Sequence, residues 1–170
     1  CIADGDYSIS DFSKELDSSI PTITKLVSEL IEAGYLKDLG KAGISSGRRP
    51  SIYGLNPDAG YIVGVDVRRY HISVAVTDFK GKIVDTQSDI PFALTNTVES
   101  FHDLCNFILK HITKLGIKKE QVLSYGLNLT GRVNHVTGYS YSYFIGEDKP
   151  IAATMESFLE RPVYIENDSR

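Results

Sequence analysis

Cysteine is scarce in this 170-residue chain. Only Cys1 and Cys105 occur, too few for a disulfide framework and without the C-x-x-C spacing of a metal site. Cys105, set among Phe101, Leu104 and Ile108, reads as a plain buried thiol. Long apolar runs are missing too: none reaches the roughly 18 residues that a membrane-crossing helix needs. The acidic start, residues 1–6, lacks the basic segment and apolar core of a secretory leader. There is no internal repeat and no low-complexity tract. Nor is there an excess of basic charge. The net charge of −4 excludes a uniformly basic nucleic-acid binder, although not a local basic patch. The expectation is a reducing, cytoplasmic protein made of one domain, or of a small domain plus part of another.

What is present changes period along the chain. Ser8-Ile9-Ser10-Asp11 has capping-box spacing and opens a short helix through Leu16, with Ile9, Phe12 and Leu16 on one face. Asp17-Ser18-Ser19 interrupts it, and Ser19 predicts the N-cap of a second helix. Pro21 is tolerated in that first turn, where its missing N–H has no helical partner. Ile20, Ile23, Leu26, Val27, Leu30 and Ile31 then recur at three- and four-residue steps, and Ala33-Gly34 supplies the stop. Strands are expected at 35–39 and 50–55 around a loop at 40–47. Two helices and a Gly-rich hairpin read as a winged helix-turn-helix over residues 1–56, closed by the turn cluster 56–60.

Residues 57–170 read as a mixed sheet. Strands are expected at 61–67, 71–78 and 82–88, the last two joined by the short link Phe79-Lys80-Gly81. A long helix follows with Val98, Phe101, Leu104, Cys105, Ile108, Leu109 and Ile112 on its buried stripe. Then come a strand at 122–129, a helix at 150–160 carrying Ile151, Met155, Phe158 and Leu159, and a strand at 163–166. Helices crossing between parallel strands cover the faces of such a sheet. The sheet reads as interrupted after its last strand, and the helix-turn-helix as missing most of its first helix upstream of Cys1. Both point to a piece of something longer.

The helix beginning at Ile20 is the candidate recognition element, since the N-terminal part of such a helix enters the major groove. Ser18, Ser19, Thr22, Thr24, Lys25 and Ser28 offer hydroxyls for phosphates or base edges, and an ammonium for phosphate or guanine. Alone, these six residues fit a solvated helix face equally simply. Lys41 and the adjacent pair Arg48-Arg49 flank a loop with two glycines immediately downstream, and arginines there can clamp phosphates or enter a minor groove. Residues 18–56 hold five basic and three acidic side chains, so the local balance is mildly positive. Together the helix and the loop make a two-part DNA footprint.

Several runs in succession carry a resemblance. They are Ser18-Ser19-Ile20-Pro21-Thr22-Ile23-Thr24-Lys25-Leu26-Val27, Leu30-Ile31-Glu32-Ala33-Gly34-Tyr35-Leu36, Gly47-Arg48-Arg49-Pro50, Leu55-Asn56-Pro57-Asp58-Ala59-Gly60-Tyr61-Ile62-Val63-Gly64-Val65-Asp66, Gly126-Leu127-Asn128-Leu129-Thr130-Gly131-Arg132-Val133, Thr137-Gly138 and Pro162-Val163-Tyr164-Ile165-Glu166-Asn167-Asp168. In this order they resemble ROK-family transcriptional repressors across nearly the whole chain. The resemblance implies a fold that is α+β in its winged helix-turn-helix (1–56) and α/β in the first half of an actin-like, ribonuclease H-like mixed-sheet domain (57–170). It implies a sugar-responsive regulator that binds double-stranded operator DNA and releases it on binding a sugar or sugar phosphate, as a dimer or tetramer, with no membrane partner.

The departures from the family are informative. ROK kinases carry Asp-x-Gly-Gly-Thr after their first strand, where glycines let backbone wrap a nucleotide's phosphates. Here Asp66-Val67-Arg68-Arg69-Tyr70 stands in that position, and side chains block such a cradle. The family's Pro-Gly in the later loop is Thr130-Gly131. Asn167 and Asp168 match the pair that binds sugar hydroxyls, and in the kinases the Asp is the general base. A carboxylate and an amide at the carboxyl end of a strand suit hydroxyl recognition, although Asn-Asp-Ser is also ordinary turn chemistry. The expectation is therefore a sensor with no catalytic residues.

His71, His102, His111 and His135 are scattered and none has a metal-like neighbour, so no metal or cofactor is assigned within the chain. The family's structural zinc and further sugar ligands (a histidine, glutamates and a cysteine cluster) would lie beyond Arg170. Tyr139, Tyr141 and Tyr143 alternate as on a half-buried hairpin, a sugar-stacking surface being the weaker reading. The alternatives are a ROK sugar kinase with an added DNA-binding head, which Asp66–Tyr70 argues against, and a protein-interaction module, which Arg48 and Arg49 argue against.

Overall fold

In the computed structural model, which describes residues 5–41, 50–144 and 149–168, Ser8 caps the first helix as its spacing predicts. Its Oγ accepts the Asp11 N–H at 3.2 Å while the Asp11 carboxylate accepts the Ser8 N–H at 3.0 Å and its hydroxyl at 2.6 Å. The helix, α1 (Ile9–Glu15), is followed by α2 (Ile20–Glu32), capped by Ser19 with Pro21 in its first turn. Gly34, at φ +82°, closes α2. Its N–H reaches the Ile31 carbonyl and the Tyr35 N–H the Leu30 carbonyl, both at 2.9 Å, a glycine C-terminal motif. Asn56 secures this corner by donating Nδ2 to the Gly34 carbonyl at 2.7 Å.

The hairpin of β2 (Leu36–Lys41) and β3 (Ser51–Leu55) pairs antiparallel with Leu36 opposite Leu55. A two-residue strand not expected from sequence, β1 (Tyr7–Ser8), adds to β3 with Tyr7 opposite Tyr53. Tyr7 also stacks on Phe12 at 5.2 Å, so one short segment serves as strand, cap and core. Phe12, Ile23, Val27 and Leu36 form that core. Leu16, Ile20, Leu26, Leu30 and Ile31, read as apolar-face residues, are instead exposed. The helical period sets the direction of a stripe, and how much of it is covered depends on what packs there.

The chain divides into two compact units, Cys1–Ala59 with Phe79–Gly81, and Gly60–Asp78 with Lys82–Arg170. The second is built on β4 (Tyr61–Val67), β5 (His71–Asp78), β6 (Ile83–Pro91), β7 (Val122–Leu129) and β10 (Val163–Asn167) in the order β10-β7-β4-β5-β6. β10, β7 and β4 run parallel, whereas β5 and β6 are antiparallel. Val63, Val65, Val67, Ile72, Val74, Val76, Tyr125, Leu127, Leu129, Val163 and Ile165 alternate into one core with α3 (Val98–Lys114) and α4 (Ile151–Leu159). A small ladder, β8 (Val133–Asn134) with β9 (Tyr139–Ser140), sits between β7 and α4 in the chain.

Two sequence expectations are corrected here. Val98 is exposed, because it opens α3 directly after the Thr97 cap, a turn before the buried stripe begins at Ser100 and Phe101. β6 runs on to Pro91 rather than ending at 88. Asp89, at φ +55°, carries the strand through a register shift, and its N–H finds the Ser73 hydroxyl. Burial pushes the Cys105 thiol up to about 12, which keeps it protonated and unreactive. No described helix is long and apolar enough to cross a membrane.

Hydrogen bonds from the Ser8 side chain and then its backbone hold the Asp11 carboxyl below its ordinary range. That lowered pKa adds stability above the unfolded carboxylate range, lost as pH falls through the folded value. Loss of the N-cap in Ser8→Ala should destabilise the first unit by about 1 kcal/mol, and the share carried by the ionised Asp11 carboxylate should vanish under acid. Urea unfolding at a series of pH values reads both effects.

Candidate functional site

The outward face of α2 follows from its buried residues. With Ile23 and Val27 inward, Pro21, Thr22, Thr24, Lys25, Ser28 and Glu29 face solvent. Several hydroxyls are already engaged. Ser19 Oγ accepts the Thr22 N–H at 3.4 Å and lies 2.8 Å from Thr22 Oγ1. Ser18 Oγ donates to the Leu16 carbonyl, Thr24 Oγ1 to the Ile20 carbonyl and Ser28 Oγ to the Thr24 carbonyl. Ser18, Thr24 and Ser28 thus spend their protons on local carbonyls, so these three groups accept more readily than they donate. Ser18, half-buried, is also tied into the turn through Ser13. Lys25 projects from this face, its ammonium 3.8 Å from Glu29 in a well-exposed pair that holds it weakly. Lys41 is exposed at the end of β2; Arg48 and Arg49 lie outside the described residues.

In the second unit, parallel pairing aligns the strand ends. Val67 stands beside Leu129 and Leu129 beside Asn167, with the row Asp66, Asn128 and Glu166 one residue earlier. The carboxyl ends of parallel strands are where ligands bind in open sheets. In the β4–β5 turn, Asp66 accepts Arg68 Nε at 2.8 Å and Asn128 Nδ2 at 3.2 Å. The Arg68 N–H is taken by the His71 carbonyl at 2.9 Å, and the Arg69 guanidinium lies 5.2 Å from the Tyr70 ring centroid. The carboxylate is thus committed to its neighbours, and the turn is lined by side chains where a phosphate cradle needs bare amides.

Asn167 ends β10 and donates Nδ2 to the Gly131 carbonyl, joining the strand end to the loop after β7. Gly131 is at φ +96°, and a Cβ there would stand 2.5 Å from Ser142 Cβ. The Ser142 hydroxyl in turn accepts the Arg132 N–H at 2.9 Å, and the Tyr141 N–H reaches the Arg132 carbonyl at 2.8 Å. Asn134 Oδ1 accepts the N–H groups of Val136 and Thr137. His135 Nδ1 lies 4.0 Å from Glu166 Oε1. The result is an open basin of about 720 Å3 lined by Arg132, Val133, Asn134, His135, Tyr141 and Asn167. Asp168 follows Asn167 at the strand end.

The structure thus puts Asn167 in a basin, and the polar residues that share it were not assigned as ligands from sequence. Tyr141 had been the weaker of two readings, and His135 one of several scattered histidines. Gly131 followed by Arg132, and an aromatic beyond the Thr137-Gly138 turn, were the visible signals. Only the β8–β9 ladder brings them beside the strand end.

Comparisons place these features among known proteins. No protein-family model matches the chain. It is 24% identical over 159 residues to the xylose repressor of Caldicellulosiruptor bescii, covering 92% of this chain and 40% of that protein. It is 27% identical over 176 residues to the DNA-binding transcriptional repressor Mlc of Escherichia coli, covering 96% of this chain and 41% of that protein. The chain therefore spans about 40% of the length of these curated relatives. Its fold matches the crystal structure of a ROK-family transcriptional regulator described as a homologue of E. coli Mlc. The TM-score is 0.69 at 20% identity, over 96% of this chain and 42% of that one.

Gly131→Ala should destabilise the second unit by about 1–3 kcal/mol, of which about 1 kcal/mol belongs to the positive φ; adding Ser142→Gly should recover only part of the steric share, because it also removes the hydroxyl that accepts the Arg132 N–H. Urea unfolding of both variants measures this.

Proposed function

From a chain that matches ROK-family transcriptional regulators in sequence and fold, we propose a sugar-responsive repressor. Its first unit binds operator DNA and its second senses the sugar. The observation that carries this reading is α2: a capped 13-residue helix whose exposed first turns carry Thr22, Thr24 and Lys25, on a unit with a hairpin wing. Thr22, Thr24 and Lys25 face the major groove, where acceptor hydroxyls and an ammonium read base edges and phosphates. Ser18 and Ser19 orient the helix start and meet the adjacent phosphate, while Lys41, Arg48 and Arg49 add phosphate contacts from the wing.

Asn167 and Asp168 bind sugar hydroxyls, an amide and a carboxylate at a strand end being suited to such contacts. The second unit does not transfer phosphate. The carboxylate of Asp66 is held by Arg68 and Asn128, and the turn after β4 carries the Arg68, Arg69 and Tyr70 side chains, its Arg68 N–H taken by the His71 carbonyl. Sugar and operator oppose one another, so by linkage each weakens the other by the same factor. The relatives' names support this reading: one is a xylose repressor, the other a DNA-binding transcriptional repressor.

The test is titration of the intact protein onto its own promoter DNA with and without a panel of sugars, alongside a phosphotransfer assay with ATP and magnesium. Robust phosphorylation of a sugar overturns the sensor reading. Arg48→Ala/Arg49→Ala should weaken all DNA sequences alike, lowering the log–log salt slope by about 0.9 per lost phosphate contact. Lys25→Ala should change preference among operator variants by about 1–3 kcal/mol. Equal weakening of operator and random DNA would make Lys25 a phosphate contact only.

A further inference from the structure

Two exposed apolar residues at the start of α2 have no part in the contacts assigned so far. Ile20, the first residue of the helix, is 55% exposed, and Pro21 after it is exposed as well. Helical spacing sets them beside the groove-facing residues. Ile20 stands four residues before Thr24, and Pro21 three before Thr24 and four before Lys25. The other exposed apolar residues of α2, Leu26, Leu30 and Ile31, stand farther along the helix, whereas it is the leading turns that enter a major groove.

Polar readout is scarce on this tip. Pro21 has no N–H. The Thr22 N–H goes to Ser19 Oγ at 3.4 Å, and the Ile23 N–H to the Ser19 carbonyl at 3.0 Å. The Thr24 hydroxyl donates to the Ile20 carbonyl at 2.8 Å, and the Ser19 and Thr22 hydroxyls pair with each other at 2.8 Å. Between these engaged groups the leading turn presents a branched alkyl side chain and a pyrrolidine ring. Base edges in the major groove offer an apolar group on which such a surface can pack, the C5-methyl of thymine.

We infer that Ile20 and Pro21 read thymine in the operator by packing on its C5-methyl. The proposal rests on the DNA-binding reading above and adds a base to it. Lys25 bonds polar edges or phosphate. The Ile20-Pro21 pair selects against cytosine, which lacks the methyl and presents an amino donor where thymine has a carbonyl. Contact with the methyl takes apolar surface of both partners out of water, and that transfer supplies the discrimination. Neither residue belongs to the buried core of the unit, Phe12, Ile23, Val27 and Leu36, so this surface can change without loss of the fold.

Titration of the intact protein onto its own promoter DNA tests this, with each thymine of the bound duplex replaced in turn by uracil, which removes the methyl and nothing else. At one position or more, uracil should weaken binding by the wild-type protein about fourfold, the worth of one methyl group taken out of water. Ile20→Ser/Pro21→Ser should bind thymine and uracil alike at that position, whereas Ile20→Val and Lys25→Ala should each keep the preference. Cytosine there should bind worse than thymine, and 5-methylcytosine should recover part of the loss. Uracil tolerated at every position, or a uracil penalty that survives in full in Ile20→Ser/Pro21→Ser, overturns the inference while the DNA-binding reading stands. No binding of promoter or random duplex by the wild-type protein overturns both.

Discussion

The site in the second unit depends on the parallel pairing of β4, β7 and β10. Parallel strands in register bring their carboxyl ends to one edge, so Val67, Leu129 and Asn167 finish side by side. Alternation then decides what faces where. Every second residue enters the core with α3 and α4, while Gly64, Asp66, Gly126, Asn128, Tyr164 and Glu166 line a concavity on the opposite face. A slip of one residue in any of these strands would exchange the two sets. The valines, leucines and isoleucines of the core therefore fix the position of the polar strand ends, although none of them touches a ligand.

The strand ends are held by local ties that relieve each other of unpaired groups. Asp66, near the end of β4, is held between Arg68 and Asn128. Asn167 uses its amide on Gly131 and so orders the loop that carries Arg132. Two hydrogen bonds join Arg132 to Ser142 and Tyr141, and Ser142 leaves no room for a Cβ at Gly131. Loop geometry, rather than burial, positions the polar rim, as is usual for binding residues carried on a rigid sheet.

In the first unit the same economy appears on a smaller scale. Ser8 is the last residue of a strand and the cap of a helix, and its neighbour Tyr7 packs on Phe12. A core of four buried side chains suffices because caps, a glycine stop and the Asn56 bond satisfy the chain ends. At the start of α2, Ser19 caps the helix and bonds Thr22, and both side chains stay exposed.

Local chemistry was legible without coordinates. The capping box, the Ser19 cap, the Gly34 stop, the helical stripe of α3 and the alternation in β4, β5 and β7 all rest on interactions within a few residues, or on a period that a sheet or helix imposes. Asn167 and Asp168 stood out only through the family resemblance, since their local chemistry reads equally as a strand-end turn. Tertiary structure alone decided the rest. The two-residue β1 is too short to have a period, and exists only because β3 offers it a partner. Leu16, Leu26 and Leu30 are apolar at the right spacing yet exposed, since burial depends on a second surface that the spacing of one helix cannot specify. Arg132, His135 and Tyr141 meet Asn167 across about thirty residues of chain, a proximity set by strand order and by the β8–β9 ladder, which no local pattern encodes.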